Sequence, residues 1–187
     1  MPMPKEVNNF FFLNHTNIGD YMKYYINNFI IYSIFGFIIE TIMKYIFNPS
    51  MHNGSLYGPW IPIYGLGACL VIIIERLVFN RFKTNRIIKI IYLFLISVIS
   101  LTLLEFIGGH LIHFLTGKVF WDYSKMKFNI GHYISVEIAC IWGIAALIIV
   151  YLIKPIIDKL IKKIPSTITY LVFLIFLIDL TISIINL

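Results

Sequence analysis

The chain has 187 residues, of which 59% are hydrophobic and 13% charged, and its mean hydropathy is +0.86. Those values lie far from the composition of soluble domains and exclude a water-soluble globular fold. A formal net charge of +6 with no aromatic-basic stripe points to anionic lipid head groups rather than nucleic acid as the charged partner.

In chain order, residues 1–23 hold Asn8, Asn9, Asn14, Asn17 and Asp20 around a short apolar patch, Phe10–Leu13, with no small-residue cleavage pattern. This is the composition of an N-terminal interfacial segment and not of a signal peptide. Residues 24–187 read as a single transmembrane domain. Its apolar runs fall at about 24–47, 60–79, 87–115, 132–154 and 167–187, each near or above the roughly 20 residues that cross a bilayer. The expected fold class is an all-α, polytopic membrane helix bundle of five transmembrane helices.

Basic residues accumulate in short cytoplasmic loops. Arg76, Arg81, Lys83, Arg86 and Lys89 flank the second connection, Lys154, Lys159, Lys162 and Lys163 the fourth, and Lys5 and Lys23 precede the first span. The expected N-terminus is therefore inside and the C-terminus outside.

Of the carboxylates within the spans, Glu40, Glu105, Glu137 and Asp179 call for explanation. A charge at membrane depth is costly and usually faces a bundle interior or a wet cavity. With this orientation Glu40, Glu105 and Glu137 share the outer layer, while Asp179 lies deeper, near the middle of the last span. Side chains three, four and seven positions apart share a helix face. On that spacing Glu40 joins Ser33, Gly36 and Lys44, Glu105 joins Thr102 and Gly109, Glu137 joins Tyr133 and Cys140, and Asp179 joins Ser183 and Asn186. A separate face of the fourth span carries Ala139, Gly143 and Ala146, a pattern that permits close helix packing in lipid. No lysine or arginine is expected deep in a span, so Glu105, Glu137 and Asp179 call for protons, polar partners or a bound cation. The plainer alternative makes each acid a hydrogen-bonded strut, with Glu40 pairing Lys44 as that lysine reaches for the interface.

Two outer segments are rich in aromatic and polar residues. The first runs Asn53-Gly54-Ser55-Leu56-Tyr57-Gly58-Pro59-Trp60-Ile61-Pro62-Ile63-Tyr64-Gly65-Leu66-Gly67. It reads either as a helix start with an interfacial aromatic belt or as a broken entrance whose exposed N–H groups line a site. The second holds Trp121-Asp122-Tyr123-Ser124 and Asn129-Ile130-Gly131. A faint internal repeat also relates Ile63-Tyr64-Gly65-Leu66-Gly67-Ala68 to Ile141-Trp142-Gly143-Ile144-Ala145-Ala146, each preceded by a span with its own glutamate, Glu40 or Glu105. Two hairpins in one orientation plus a fifth helix would produce it.

These same residues carry a family resemblance. The run from Asn53 to Gly65, the glutamate of the first span, Glu105 with Trp121-Asp122-Tyr123-Ser124, and Asn129, Gly131 and Trp142-Gly143 resemble the CmpB type of bacterial ABC-transporter permeases over about residues 29–154. The resemblance implies a multi-pass protein of the bacterial cytoplasmic membrane with a permease role. Where the family commonly has Asn-Arg-Gly, this chain has His52-Asn53-Gly54, so an anion contact through that arginine is not expected.

No G-x-x-x-x-G-K-[S/T] loop occurs, so nucleotide hydrolysis would belong to a separate ATPase subunit. The short, basic stretches 80–86 and 156–165 offer such a subunit little to dock on. Metal-dependent catalysis is the competing class, with His52, His110, His113 and His132 as candidate ligands. On one helix Glu105 and His110 diverge by about 140°, so Glu105, His110 and His113 do not converge on an ion. Cys69 and Cys140 fall within apolar helices and read as packing residues. No enzyme activity and no cofactor is expected.

The reading that accommodates most of these features is a permease-like transport component with an outward-facing vestibule for a small cationic or proton-coupled solute. Glu40, Glu105, Glu137 and Asp179 supply its acids. Tyr57, Trp60, Tyr64, Trp121, Asp122, Tyr123 and Asn129 supply its rim, where aromatic faces attract cations. The expected partners are the bilayer and a second copy or second membrane subunit. A non-transporting assembly partner is the alternative.

Overall fold

Long runs of Ile, Leu and Phe satisfy their backbone groups in lipid only by coiling into helices. The computed structural model describes residues 18–47 and 56–186, and five of its helices are long and apolar enough to span a membrane. They are α1 (Ile18–Phe47), α2 (Pro62–Arg81), α3 (Arg86–Thr116), α4 (Val136–Ile148) continued through a π-helical turn (Ile149–Ile153) into α5 (Lys154–Ile161), and α6 (Ser166–Ile185). The all-α membrane bundle is as expected. Pro62 opens α2 in its first turn, and the Asn85 side chain caps α3 by accepting from the Ile88 amide at 2.9 Å.

Two boundaries differ from the sequence expectation. The first helix begins at Ile18 rather than 24, and the rest of the anticipated interfacial segment, residues 1–17, lies outside the described residues. The fourth span begins at Val136, after a two-residue antiparallel ladder pairs Asn129 with Ser135 and Ile130 with Ile134. It then runs past Lys154 to Ile161. Lys154 looked like a boundary because a lysine normally seeks water, but here its ammonium is buried among acids. The π turn just before Pro155 also relaxes the hydrogen-bond ladder where proline offers no N–H.

Helix α1 packs chiefly on α2, α3 on α4, and α2 on α3, with α6 against α1. Apolar area does not drive this packing in lipid, whose tails are as apolar as leucine. Small residues let the backbones approach. A Cβ at Gly65 would strike Ser33 and Phe29 on α1, and one at Gly143 would strike Phe94 and Val98 on α3. Ala139, Gly143 and Ala146 are all buried, as their stripe predicted. Between the hairpins a dry layer of Val71, Ile74, Val78, Leu93, Leu101 and Val150 fills the middle of the bundle.

One buried charge network contradicts the expectation that no basic residue lies deep in a span. The Lys154 Nζ sits 3.3 Å from Glu75 Oε2 and 3.1 Å from Asp158 Oδ2. The Tyr24 hydroxyl donates to Asp158 at 2.9 Å, and the Arg76 guanidinium donates to the Tyr25 hydroxyl at 3.0 Å while lying over the Tyr24 ring. Three elements, α1, α2 and the α4–α5 rod, are joined at the end that carries the basic connections. Removing one member of a buried ion pair strands the others. Lys154→Met is expected to cost about 3–5 kcal/mol in an unfolding titration in micelles, and adding Glu75→Met should recover part of that loss.

Candidate functional site

Glu105 is buried on α3, and both of its carboxylate oxygens are engaged. The Tyr123 hydroxyl donates to Oε1 at 2.5 Å, and the Trp142 indole N–H donates to Oε2 at 3.0 Å. The Tyr64 hydroxyl of α2 lies beside the Glu40 carboxyl of α1, close enough for each to influence the other. The Tyr64 and Trp142 rings meet edge-on with centroids 5.7 Å apart, so the two acid-aromatic pairs adjoin. Electrostatic influence of Glu40 and Tyr64 reaches Tyr123 as well. The structure therefore brings together Glu40, Tyr64, Glu105 and Tyr123 from the expected set and adds Trp142.

The two pairs are arranged alike. Glu40 and Glu105 each lie seven residues after the position that packs on the partner glycine, Ser33 or Val98, and a further turn back comes a phenylalanine, Phe29 or Phe94, against the same glycine. Each glycine directly follows the aromatic donor to the acid, Tyr64 before Gly65 and Trp142 before Gly143. The faint repeat in the sequence is thus matched by contacts in register. With the family resemblance, which also includes Trp142-Gly143, it was a signal that could have put Trp142, opposite Tyr64, among the site residues.

Glu137 and Asp179 sit elsewhere. In the first turn of α4, Glu137 accepts from the Ser135 hydroxyl at 2.6 Å and the Phe128 amide at 3.2 Å, fastening the ladder to the helix it precedes. Asp179 on α6 accepts from the Tyr57 amide at 3.1 Å, the Gly58 amide at 2.9 Å and the Trp60 indole at 2.6 Å, with Ser183 at 3.2 Å. Instead of standing apart in the bundle, it clamps the segment that enters α2. Trp60 is buried against Phe176, whereas the Tyr57 side chain is exposed. Residues 48–55, including His52, Asn53, Gly54 and Ser55 of the first outer segment, lie outside the described residues.

In the second outer segment Trp121 packs near Gly108 and Tyr133, and its indole N–H is buried without a protein partner among the described residues. The Asn129 side chain donates to the Gly131 carbonyl at 3.0 Å, which closes the turn of the ladder. The Tyr123 amide donates to the His132 carbonyl at 2.7 Å, aiming its ring inward. Burial, then the hydrogen bond to Glu105, pushes the Tyr123 phenol above its ordinary value, so it stays a donor at any physiological pH. Asp122 is exposed and accepts from the Ser124 amide at 2.9 Å and from His132 at 3.2 Å. The Ser124 bonds, more than His132, hold its carboxyl below the usual carboxylate range. Among the described residues, no three His, Cys, Asp or Glu side chains converge as a metal site.

A protein family described as "Putative ABC-transporter type IV", ABC_trans_CmpB, matches residues 27–185. The chain belongs to this family. The match spans the described part of all five long helices except the first turns of α1, and it covers both acid-aromatic pairs. No curated protein and no solved structure matches the chain. A membrane-embedded protein of an ABC-transporter family is thus the level at which the comparisons speak.

Two consequences can be measured. Asp179→Ala leaves two amides and an indole without their acceptor, so we expect a loss of about 2 kcal/mol and faster hydrogen exchange at Tyr57 and Gly58. The depressed Asp122 carboxyl stabilises its turn above the ordinary carboxylate value of about 4, and that contribution disappears as pH falls through the lower folded value. Proteolytic nicking between Gly117 and Phe128 should stay constant from pH 7 to 4 and rise below it. Asp122→Asn should show no such rise.

Proposed function

We propose that this chain is a membrane-embedded transport component that takes a small cation, or a solute moved together with a proton, on Glu40 and Glu105. The observation that carries this reading is the doubled constellation: two glutamates, each held by an aromatic donor from the following helix, side by side where two hairpins meet. Transporters built from repeats place their sites at the interface between them, and an intramembrane acid without a basic neighbour is available to a proton or cation. Lys154 is engaged with Glu75 and Asp158, and among the described residues no ion pair reaches Glu40 or Glu105.

Tyr64, Trp142 and Tyr123 serve as switchable donors. When a carboxylate takes a proton or a cation, the hydroxyl or indole bonded to it turns aside or shares the oxygen. Trp60, Trp121 and Asp122 shape the outer end, and Glu137 and Asp179 hold the two outer segments in place for it. The membrane is the cytoplasmic membrane of a bacterium, with the N-terminus inside. A separate ATPase subunit, if the chain works with one, would meet the basic end that holds Arg81, Lys83, Lys159 and Lys162.

In proteoliposomes, pH-dependent cation binding or flux between pH 5 and 8 is expected to drop at least tenfold in both Glu105→Gln and Glu40→Gln, while Glu137→Gln keeps most of it. Membrane insertion of all three should equal that of the parent. Unchanged pH dependence in Glu105→Gln would remove that acid from the mechanism, and with it the paired site.

A further inference from the structure

Helix α6 has no counterpart in the two-hairpin arrangement, and it meets α1 unevenly. Towards one end, Phe176 packs edge-on against Phe29 and Trp60, and the Asp179 clamp lies beyond. Towards the basic end, the two helices part around an apolar groove of about 340 Å³. Ile30 and Ile31 of α1 form one wall, Ile168 and Val172 of α6 the other, and Ile164 and Lys163 lie at the mouth. Asn27 and Thr169 also border it, but they are committed to each other at 2.8 Å, and the Asn27 amide additionally donates to the Lys23 carbonyl. The interior therefore asks for an apolar occupant rather than a polar one.

The mouth asks for the opposite. Lys163 is exposed and forms no ion pair among the described residues, with Lys159 one turn earlier on the same connection. Helix α6 starts there at Ser166, and its N-cap, Pro165, provides no side-chain acceptor for the first-turn amides. A helix N-terminus beside a lysine attracts a phosphate, and basic pockets between spanning helices hold anionic lipid head groups. We propose that this groove is a binding site for one anionic phospholipid, with an acyl chain between α1 and α6 and its phosphate at Lys163 and the α6 N-terminus. Free phosphate is disfavoured as the occupant because nearly all of the groove below the mouth is hydrocarbon.

The bound lipid would act as a wedge at the α1–α6 interface, where the described residues leave a groove beside the Asn27–Thr169 bond. Native mass spectrometry and thermal unfolding of the full chain in detergent, with phosphatidylglycerol, phosphatidylcholine of the same chains, or inorganic phosphate added, test the assignment. The parent should retain one phosphatidylglycerol and be stabilised by it, with phosphatidylcholine retained less and inorganic phosphate without effect. Lys163→Glu should weaken phosphatidylglycerol retention about fivefold or more without changing that of phosphatidylcholine. Ile168→Trp, which fills the groove from an exposed position, should lower retention of both lipids. Equal retention of the two lipids by the parent, unchanged phosphatidylglycerol binding in Lys163→Glu, or protection by inorganic phosphate alone would overturn the proposal.

Discussion

Hydrocarbon around a helix bundle removes the usual reason for helices to associate. Burying leucine against leucine gains little when the lipid is equally apolar, so position is set by polar bonds and by how closely backbones can approach. Nearly every outward face here is Ile, Leu or Phe and carries no information about neighbours. The arrangement is held instead by three polar knots. The Lys154–Glu75–Asp158 network joins α1, α2 and the α4–α5 rod at one end, the glutamate-aromatic pairs join each hairpin near the other, and Asp179 ties α6 to the start of α2. Gly65 and Gly143 fix how near the members of each hairpin can come.

The knots differ in electrostatic character. At the basic end, acids and bases are present together, and each buried charge has an opposite within an ion-pair distance. Such a network resists change, because withdrawing any partner exposes the desolvation cost of the rest. Among the described residues, Glu105 instead accepts from a neutral hydroxyl and an indole, and Glu40 adjoins the neutral Tyr64 hydroxyl. Neutral donors satisfy oxygen lone pairs without cancelling charge. Between the two ends lies the apolar layer around Val71 and Leu101, which separates the ion-paired region from the glutamate-aromatic one.

Much of the architecture was legible in the sequence, because five long, predominantly apolar runs leave few alternatives to five helices. The ends were less so. Lys154 was taken for a boundary since composition cannot tell a snorkelling lysine from one paired with acids on other helices, and Glu75 escaped notice because its compensation comes from that same lysine. The candidate site was half legible. Glu40, Glu105, Tyr64 and Tyr123 were marked by residue type and span position, and the short repeat aligned Tyr64 with Trp142 without revealing that each serves its own glutamate. Glu137 and Asp179 carry the same chemistry in a sequence, yet their oxygens go to backbone amides of adjoining segments. Which amides fall within reach depends on how loops fold back, and helical periodicity does not encode that.

The two hairpins match in register but not in how their outer connections are held, and the difference bears on mechanism. The first connection is gripped from outside the pair, by Asp179 on α6, and none of its described residues other than Tyr64 is bonded to Glu40. The second reaches into the site itself, because Tyr123 belongs to the loop and donates directly to Glu105. A ligand that engages Glu105 must therefore share its oxygen with Tyr123 or displace it, and the loop backbone, tied through the Tyr123 amide to His132, feels that exchange. Two acids of common pattern thus differ in their ties: Glu105 is bonded to the loop before α4 through Tyr123, whereas Tyr57, Gly58 and Trp60 before α2 are bonded to Asp179.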